Sequence, residues 1–411
     1  MSELLTLDIE SIAAGGDGVA RHDGLVVFVP RTAVGDRVVA RVERKGRMGR
    51  GVLERVDRAS ANRVAPECPH YERDRCGGCQ LQHVTLAAQR TAKQTIIRDT
   101  MRRIGHREVP LPEIQAGERA WRYRRKLTLA LRRDENGWKA GLHAYNDPGR
   151  VFALEDCPIA DEGLIAVWRE VLAAQAHLPE ESELRGSVRL LGERGALVVE
   201  GGSAWTCHGA FFAAAPLLAA LWWKPASGSR RLLHDRRDVP EPGASFAQVN
   251  PEMATRLAAF TVETAMEHRP ATVVDAYAGA GVVAEAIAKR GVRVTAIELD
   301  HEASRWSAGR LTGDSRAVHG RVEDALGEAL PADVVLLNPP RAGVDARVTS
   351  LLDTPGHGVR AIIYVICDPA TLARDVARLA GWRVKGLTAF DMFPQTAHVE
   401  TVCELVPMEA A

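Results

Sequence analysis

Cys367 ends the apolar run Ile362-Ile363-Tyr364-Val365-Ile366 and is followed by Asp368-Pro369 and the helix-like stretch ATLARDVARL. The run reads as a buried parallel strand, and Asp368-Pro369 as the cap and first turn of a helix. A thiol is thus expected at the carboxyl end of a strand, the edge at which open α/β sheets bind their ligands. A neighbouring helix N-terminus lowers a thiol's pKa and favours the nucleophilic thiolate. A buried, inert cysteine is the plain alternative. A second set of thiols has metal-ligand character: Cys68-Pro69, Cys76-Gly77-Gly78-Cys79 and Cys157-Pro158 could give four thiolates to one centre. Their spacing does not separate structural zinc from an iron-sulfur cluster. A third constellation is Gly279-Ala280-Gly281 with Glu298 some twenty residues on. The glycines allow a tight turn beneath a ligand, and the carboxylate can hold two ribose hydroxyls. Such a pair fits nicotinamide or S-adenosylmethionine. Asp275 before the loop and Asn338-Pro339-Pro340 at the end of a later strand favour S-adenosylmethionine, and Arg341, in place of an aromatic residue after Asn-Pro-Pro, weighs against methylation of an exocyclic amine.

These groups need a scaffold, and the chain has the length for one of two to four domains. It has 411 residues, with 53 Lys and Arg balancing 53 Asp and Glu, so any nucleic-acid surface must be local. Seven cysteines, three of them bunched, suggest a metal site rather than a disulfide framework. With no secretory leader and no membrane-length apolar run, a cytoplasmic protein without a membrane partner is expected. Residues 1–58 alternate β-rich runs with glycine turns, the pattern of a small five-strand antiparallel barrel whose later part is rich in arginine. Residues 59–242 read as an α+β central domain that carries the four cysteines, with a helical period over Leu86–Arg103 and another near Glu162–Ala176. In it, ERAWRYRRKLTLALRR interleaves Arg119, Arg122, Arg124, Arg125 and Lys126 with Trp121 and Tyr123, a mixture that can neutralise phosphates and stack unpaired bases. Residues 243–411 alternate strands and helices as a doubly wound, Rossmann-like parallel sheet.

Two resemblances follow from particular stretches. GGDGVARHDGLVVFVPRTAVGD resembles the TRAM domain, an OB-like RNA-binding barrel. SFAQVN, NPPRAGV, YVICDPATLARD and DMFPQTAHVE together resemble the RNA uracil-5 methyltransferases that make 5-methyluridine. The likeness covers essentially the whole chain. It implies Cys367 as the nucleophile, Glu400 as the general base, and Cys68, Cys76, Cys79 and Cys157 as ligands of a [4Fe-4S] cluster. It also implies Gln248, Tyr277, Glu298 and Asn338, beside Gly279 and Gly281, in the donor or target pocket. The implied substrate is RNA, with 23S rRNA favoured over tRNA, and a monomer is expected. The chain departs from the family pattern at Asn338, where Asp is usual, at Ile366 and Asp368, which flank the cysteine in place of Ser and Asn, and at Val282 and Arg321. Two other readings stand beside this one: an amine-directed methyltransferase using Asn338-Pro339-Pro340, and an RNA-binding protein with a degenerate methyltransferase domain.

Overall fold

A computed structural model describes residues 2–135, 137–239 and 241–408. The chain forms two compact units: Met1–Ala65, Gln80–Gly117 and Glu252–Ala411 make the first, and Pro66–Cys79 with Glu118–Pro251 the second. The first unit begins with the barrel. Its strands β1 (Ser2–Asp8), β2 (Ser11–Ile12), β3 (Gly18–His22), β4 (Leu25–Val29), β5 (Arg37–Lys45) and β6 (Met48–Arg58) run in the order β1-β5-β6-β4-β3-β2. Alternation drives it: Leu5 and Leu7 of β1, Val27 and Val29 of β4, and Val38, Ala40 and Val42 of β5 turn inward to one small core. The expected five antiparallel strands are six, and β4 pairs with β6 in parallel.

The segment expected as one central domain is divided between the units. After the short helix α1 (Pro69–Arg73), which lies in the second unit, α2 (Leu86–Arg103) and strand β7 (Glu113–Gln115) return to the first. Ile97 and Met101 of α2 join the catalytic core, and β7 adds to the edge of its sheet. The rest of the second unit is a seven-stranded sheet in the order β10-β9-β8-β11-β12-β13-β14. It consists of β8 (Lys126–Asp134), β9 (Gly137–Ala144), β10 (Asp147–Ala153), α3 (Glu162–Ala173), β11 (Glu183–Leu191), β12 (Arg194–Glu200), α4 (His208–Ala214), β13 (Leu218–Lys224) and β14 (Arg231–Asp235). Leu127, Leu129 and Leu131 of β8 meet Trp168 of α3 and Phe211 of α4 in a single core.

The remainder of the first unit is the Rossmann-like sheet. Helix α5 (Pro251–Glu267) precedes β15 (Thr272–Ala276), α6 (Val282–Ala288), β16 (Arg293–Glu298), α7 (His301–Ala308), β17 (Arg316–His319), α8 (Val322–Ala329), β18 (Val334–Leu337), α9 (Ala346–Asp353), β19 (Ala361–Ile366), α10 (Pro369–Ala377), β20 (Trp382–Phe390) and β21 (Glu400–Pro407). The order is β17-β16-β15-β18-β19-β21-β20-β7. All six residues of β19 are buried, as a strand covered on both faces requires, and each such Ile or Val contributes about 1.5–3 kcal/mol. The expected all-parallel sheet is mixed, because β21 inserts antiparallel between β19 and β20.

One buried carboxylate ties this sheet to the loop after β18. Asp375 of α10, fully buried, accepts from Tyr364 Oη at 2.7 Å, Val344 N at 3.1 Å, Arg374 Nε at 2.9 Å and Arg378 Nη1 at 3.2 Å. Gly343 has φ +83°, and a Cβ there would lie 2.3 Å from Asp375 Oδ2, so only glycine lets the loop approach this closely. Asp375→Ala should therefore orphan the Tyr364 hydroxyl and the Val344 amide. A loss of roughly 3–5 kcal/mol, the usual cost of breaking a buried charged network, is expected as a lowered urea midpoint; an unchanged midpoint would refute it.

Candidate active site

The carboxyl ends of β15, β16, β18 and β19 carry the residues singled out in the sequence. After β15 the chain turns sharply: Tyr277 has φ +63°, Gly279 +56° and Gly281 +74°. Gly281 opens α6, and a Cβ on it would lie 2.2 Å from Ser307 Oγ, so the turn packs against α7. Glu298 ends β16 and spans the turn. Its Oε2 accepts from Gly279 N at 2.8 Å and its Oε1 from Asp300 N at 2.6 Å. Each oxygen retains a lone pair for a further donor. Asp275 is buried beneath the loop and accepts from the Ala284 amide; burial chiefly, with the charge of Glu298, pushes its carboxyl up to about 7. Val282 and Leu299 expose apolar surface on either side of this turn. Val282 simply occupies the first helical position of α6, and Arg321 precedes α8 with its Nη1 donating to Glu323 Oε1 at 3.0 Å.

Asn338 follows β18, is exposed, and its amide donates to the Ala276 carbonyl at 3.2 Å. The next residues form a loop held from α10: Thr371 Oγ1 donates to the Arg341 carbonyl at 3.0 Å and Arg374 Nη2 to the Ala342 carbonyl at 2.7 Å. With Asp375 on Val344 N, three side chains of one helix fix the loop, which brings the Arg341 guanidinium near enough to Cys367 to favour its thiolate. In the sequence Arg341 speaks only against an amine target. Its position directly after Asn-Pro-Pro was the available signal, but proximity to Cys367 depends on the loop's fold.

Cys367 sits half-buried just beyond β19, and Asp368 caps α10 by accepting from Thr371 N at 2.9 Å. Asp368, a departure from the family pattern, thus has a local cause. Ile366 has another, since it is fully buried in the strand core. The expectation of a lowered thiol pKa is corrected: burial pushes the Cys367 thiol up, the charges of Glu400 and Asp368 add to this, and Arg341 offsets part of it by charge and hydrogen bond. Desolvation of the thiolate outweighs the helix N-terminus.

Glu400 is the first residue of β21 and is 3 % exposed. The β19·β21 ladder pairs Ile362 with Leu405 and ends at Ile366 with Thr401; Cys367 directly follows the one residue of this last pair and Glu400 directly precedes the other, near enough for the Glu400 charge to act on the thiol. That proximity depends on the antiparallel insertion of β21 beside β19, a long-range pairing with no local sequence signal.

The other candidates lie in the second unit. Gln248 is half-buried in its closing segment, next to Val249, whose carbonyl accepts from Arg125 N at 2.8 Å. Cys68, Cys79 and Cys157 are buried and Cys76 partly so. The Gly78 amide donates to Cys76 Sγ at 3.4 Å, and burial, with the Cys68 and Cys76 sulfurs nearby, pushes the Cys157 thiol up to about 11. Among the described residues no group of three or more His, Cys, Asp or Glu side chains is arranged to hold a metal ion. The stacking platform expected around Trp121 is corrected. Tyr123 is 3 % exposed in the core, Trp121 packs against the same core with its Nε1 donating to Glu67 at 3.0 Å, and Arg122 forms a two-pronged pair with Asp156 at 2.8 and 2.7 Å. On the barrel, Arg41 pairs with Glu54 and Arg55 with Asp57, while Arg44 donates to the Gly46 carbonyl in the β5–β6 turn. Among the described residues no helix is long and apolar enough to cross a membrane.

Residues 305–406 match the family described as tRNA (uracil-5-)-methyltransferase, and residues 3–47 match the TRAM domain. An uncharacterized RNA methyltransferase of Protochlamydia amoebophila is 30% identical over 446 aligned positions, which cover 98% of this chain and 99% of that protein. The 23S rRNA (uracil(1939)-C(5))-methyltransferase of Halomonas elongata is 33% identical, with 98% of this chain and 90% of that one covered. Among solved structures, the tRNA (uracil-54, C5)-methyltransferase of Pyrococcus abyssi in complex with S-adenosyl-L-homocysteine shares the fold, with a TM-score of 0.67 at 22% identity and coverage of 98% of this chain and 100% of that one.

The Arg341 contact carries its own expectation. Arg341→Ala removes a nearby cation that lowers the thiol's pKa. Alkylation of Cys367 by iodoacetamide should shift to higher pH and slow at fixed pH. Exposed Cys207 serves as the internal control in the same digest. Identical profiles for wild type and variant would show that the guanidinium does not stabilise the thiolate.

Proposed function

Since the chain belongs to the RNA (uracil-5-)-methyltransferases, S-adenosylmethionine-dependent enzymes, we propose that it methylates carbon 5 of a uridine in 23S rRNA through a covalent adduct between Cys367 and carbon 6. The observation that supports this reading is that Cys367 and Glu400 flank the last pair of the β19·β21 ladder, at the strand edge where β18 leads into Asn338-Pro339-Pro340. The rRNA target rests on the likeness to the Halomonas elongata enzyme over nearly the full length of both chains.

Carbon 5 of uracil is a weak nucleophile. When the Cys367 sulfur adds to carbon 6, the double-bond pair moves onto the ring carbonyl, and the enolate so formed makes carbon 5 reactive. Arg341 supports the thiolate that must form first. The donor, when bound, supplies a methyl group on a sulfonium. Glu298 is suited to hold its ribose, Gly279, with open space where a Cβ would stand, leaves room for it against the turn, and Val282 and Leu299 offer apolar surface for its adenine. Tyr277, half-buried after β15, is assigned to the same pocket, with Asn338 on the uracil side. After transfer, Glu400 takes the proton from carbon 5, the C5–C6 double bond reforms, and Cys367 leaves as thiolate. The target base must leave its stack to reach a half-buried thiol. The TRAM barrel, with cations around its β5–β6 turn, suits the surrounding phosphates.

We further infer that Cys68, Cys76, Cys79 and Cys157 hold a [4Fe-4S] cluster with a structural role. In favour are four thiols within one unit, three of them buried, and an amide already directed at Cys76 Sγ. Uracil methylation includes no redox step, so no step is routed through the cluster. Protein purified without oxygen should be brown, with acid-labile sulfide and iron; stoichiometric zinc in a colourless protein refutes the assignment.

The adduct is tested with 5-fluorouridine-substituted rRNA fragments, since fluorine at carbon 5 blocks the final proton removal. Wild type with donor should form a denaturation-resistant protein–RNA complex, and Cys367→Ala none. Glu400→Gln should turn over natural RNA about 10²–10⁴-fold more slowly. In cells lacking the protein, 5-methyluridine should disappear from 23S rRNA. Loss from tRNA alone would overturn the target, and a persisting complex in Cys367→Ala the mechanism.

A further inference from the structure

The connection from Asp391 to Val399 joins β20 to Glu400, and eight of its nine residues, all but His398, are buried. Loops normally run over the surface because buried backbone polar groups need partners. Here the partners come from α2 and the segment before it. Lys93, fully buried, donates from Nζ to Asp391 Oδ1 at 2.6 Å and to the Phe393 carbonyl at 3.0 Å, and Arg90 Nε donates to Asp391 Oδ2 at 3.2 Å. Gln89 makes a two-way pair with Gln395: its Oε1 accepts from Gln395 N at 2.9 Å and its Nε2 donates to Gln395 Oε1 at 3.0 Å. Leu81 N donates to the Gln395 carbonyl at 2.9 Å, and Gln80 Oε1 accepts from Ala397 N at 3.3 Å.

Two features separate this arrangement from ordinary packing. Gln395 has φ +71°, a left-handed conformation that a non-glycine residue keeps only where its surroundings impose it, and such sites cluster at functional positions. Lys93 and Asp391 form an ion pair wholly removed from water, and replacing such a pair with apolar residues is often neutral or stabilising. Stability therefore does not call for the pair, whereas fixed geometry does. What the geometry fixes is close by. Phe390 pairs directly with Glu400 across β20 and β21, and Asp391 follows Phe390 immediately.

We propose that Lys93 and Gln89 are positioning residues that clamp Asp391–Ala397 and so hold the Glu400 carboxylate where it takes the proton from carbon 5. The proposal rests on the reading of Glu400 as the base. In the step concerned the C5–H bond breaks, its proton goes to Glu400, its electron pair restores the C5–C6 double bond, and the C6–S bond breaks to release the Cys367 thiolate. A loosened clamp leaves thiol addition and methyl transfer in place and slows this last step.

The test uses full-length protein with rRNA fragments carrying uridine tritiated at carbon 5 and methyl-labelled S-adenosylmethionine, in single turnover. Gln89→Leu removes one anchor and keeps the ion pair. The double variant Lys93→Met with Asp391→Asn neutralises the pair without stranding a charge. In wild type, methyl incorporation and tritium release keep pace. In the variants, methyl incorporation should stay near the wild-type rate while tritium release falls by about 10²-fold, the scale for a small misplacement of a catalytic group. A denaturation-resistant methylated protein–RNA complex should accumulate, as it should in Glu400→Gln. If one variant fails to fold, the other decides. Equal loss of both signals without the complex overturns the clamp, since a merely structural lesion lowers the two together. Normal tritium release by Glu400→Gln overturns the base assignment, and the clamp with it.

Discussion

The antiparallel pairing of β21 with β19 is the constraint on which the catalytic half depends. A purely parallel sheet would present Cys367 at its carboxyl edge with only loops for company. Inserting β21 in the opposite sense brings the start of a strand to the same edge, so Glu400 enters the site as part of the sheet and not on a mobile connection. A hydrogen-bonded ladder fixes side chains far better than a loop, and the proposed roles of Cys367 and Glu400 on adjacent ring carbons require such fixing. Moving β21 by one residue would turn every side chain of the strand to the wrong face.

This arrangement sets up an electrostatic conflict. A carboxylate near a half-buried thiol disfavours the thiolate, as does burial, and both raise its pKa. The site answers with Arg341, whose loop is pinned by Thr371, Arg374 and Asp375 of α10. α10 therefore has three tasks that follow from its sequence. Asp368 caps it beside Cys367, its polar face holds the loop that carries the countercharge, and its apolar face, through Leu372, Ala373 and Val376, packs into the core. A thiol that ionises reluctantly in isolation is also less exposed to oxidation, because reactivity follows thiolate character.

Much of this was legible in the sequence where the signal is local. Leu86–Arg103 is a helix with those bounds, the run before Cys367 is a buried strand, and Asp368 caps the helix that follows, because periodicity and capping are written in neighbouring residues. The failures are long-range. The burial of DMFPQTAHVE between β20 and β21 has no local signal, since it depends on side chains some three hundred residues earlier. Tyr123 read as a base-stacking residue because its neighbours are arginines, yet strand alternation turned it into the core. The thiol's ionisation was misjudged for a related reason: the helix N-terminus is visible in the sequence, while desolvation and Glu400 are properties of the packed site.

The same long-range logic bears on the N-terminal barrel. Ile12 of β2 shares a small core with Leu81, Ile96 and Ala397, so one barrel strand packs against the connection that leads to Glu400. The segment Gln80–Gly117 lies between them and supplies both Gln89 and Lys93 to that connection. Barrel, helix and catalytic connection thus share one compact unit although nearly three hundred residues of chain separate the last from the second. A module serving only as a tether for RNA needs no apolar contact with the chemistry. This one has it, which makes the barrel part of the scaffold that orders the catalytic connection as well as a surface for phosphates.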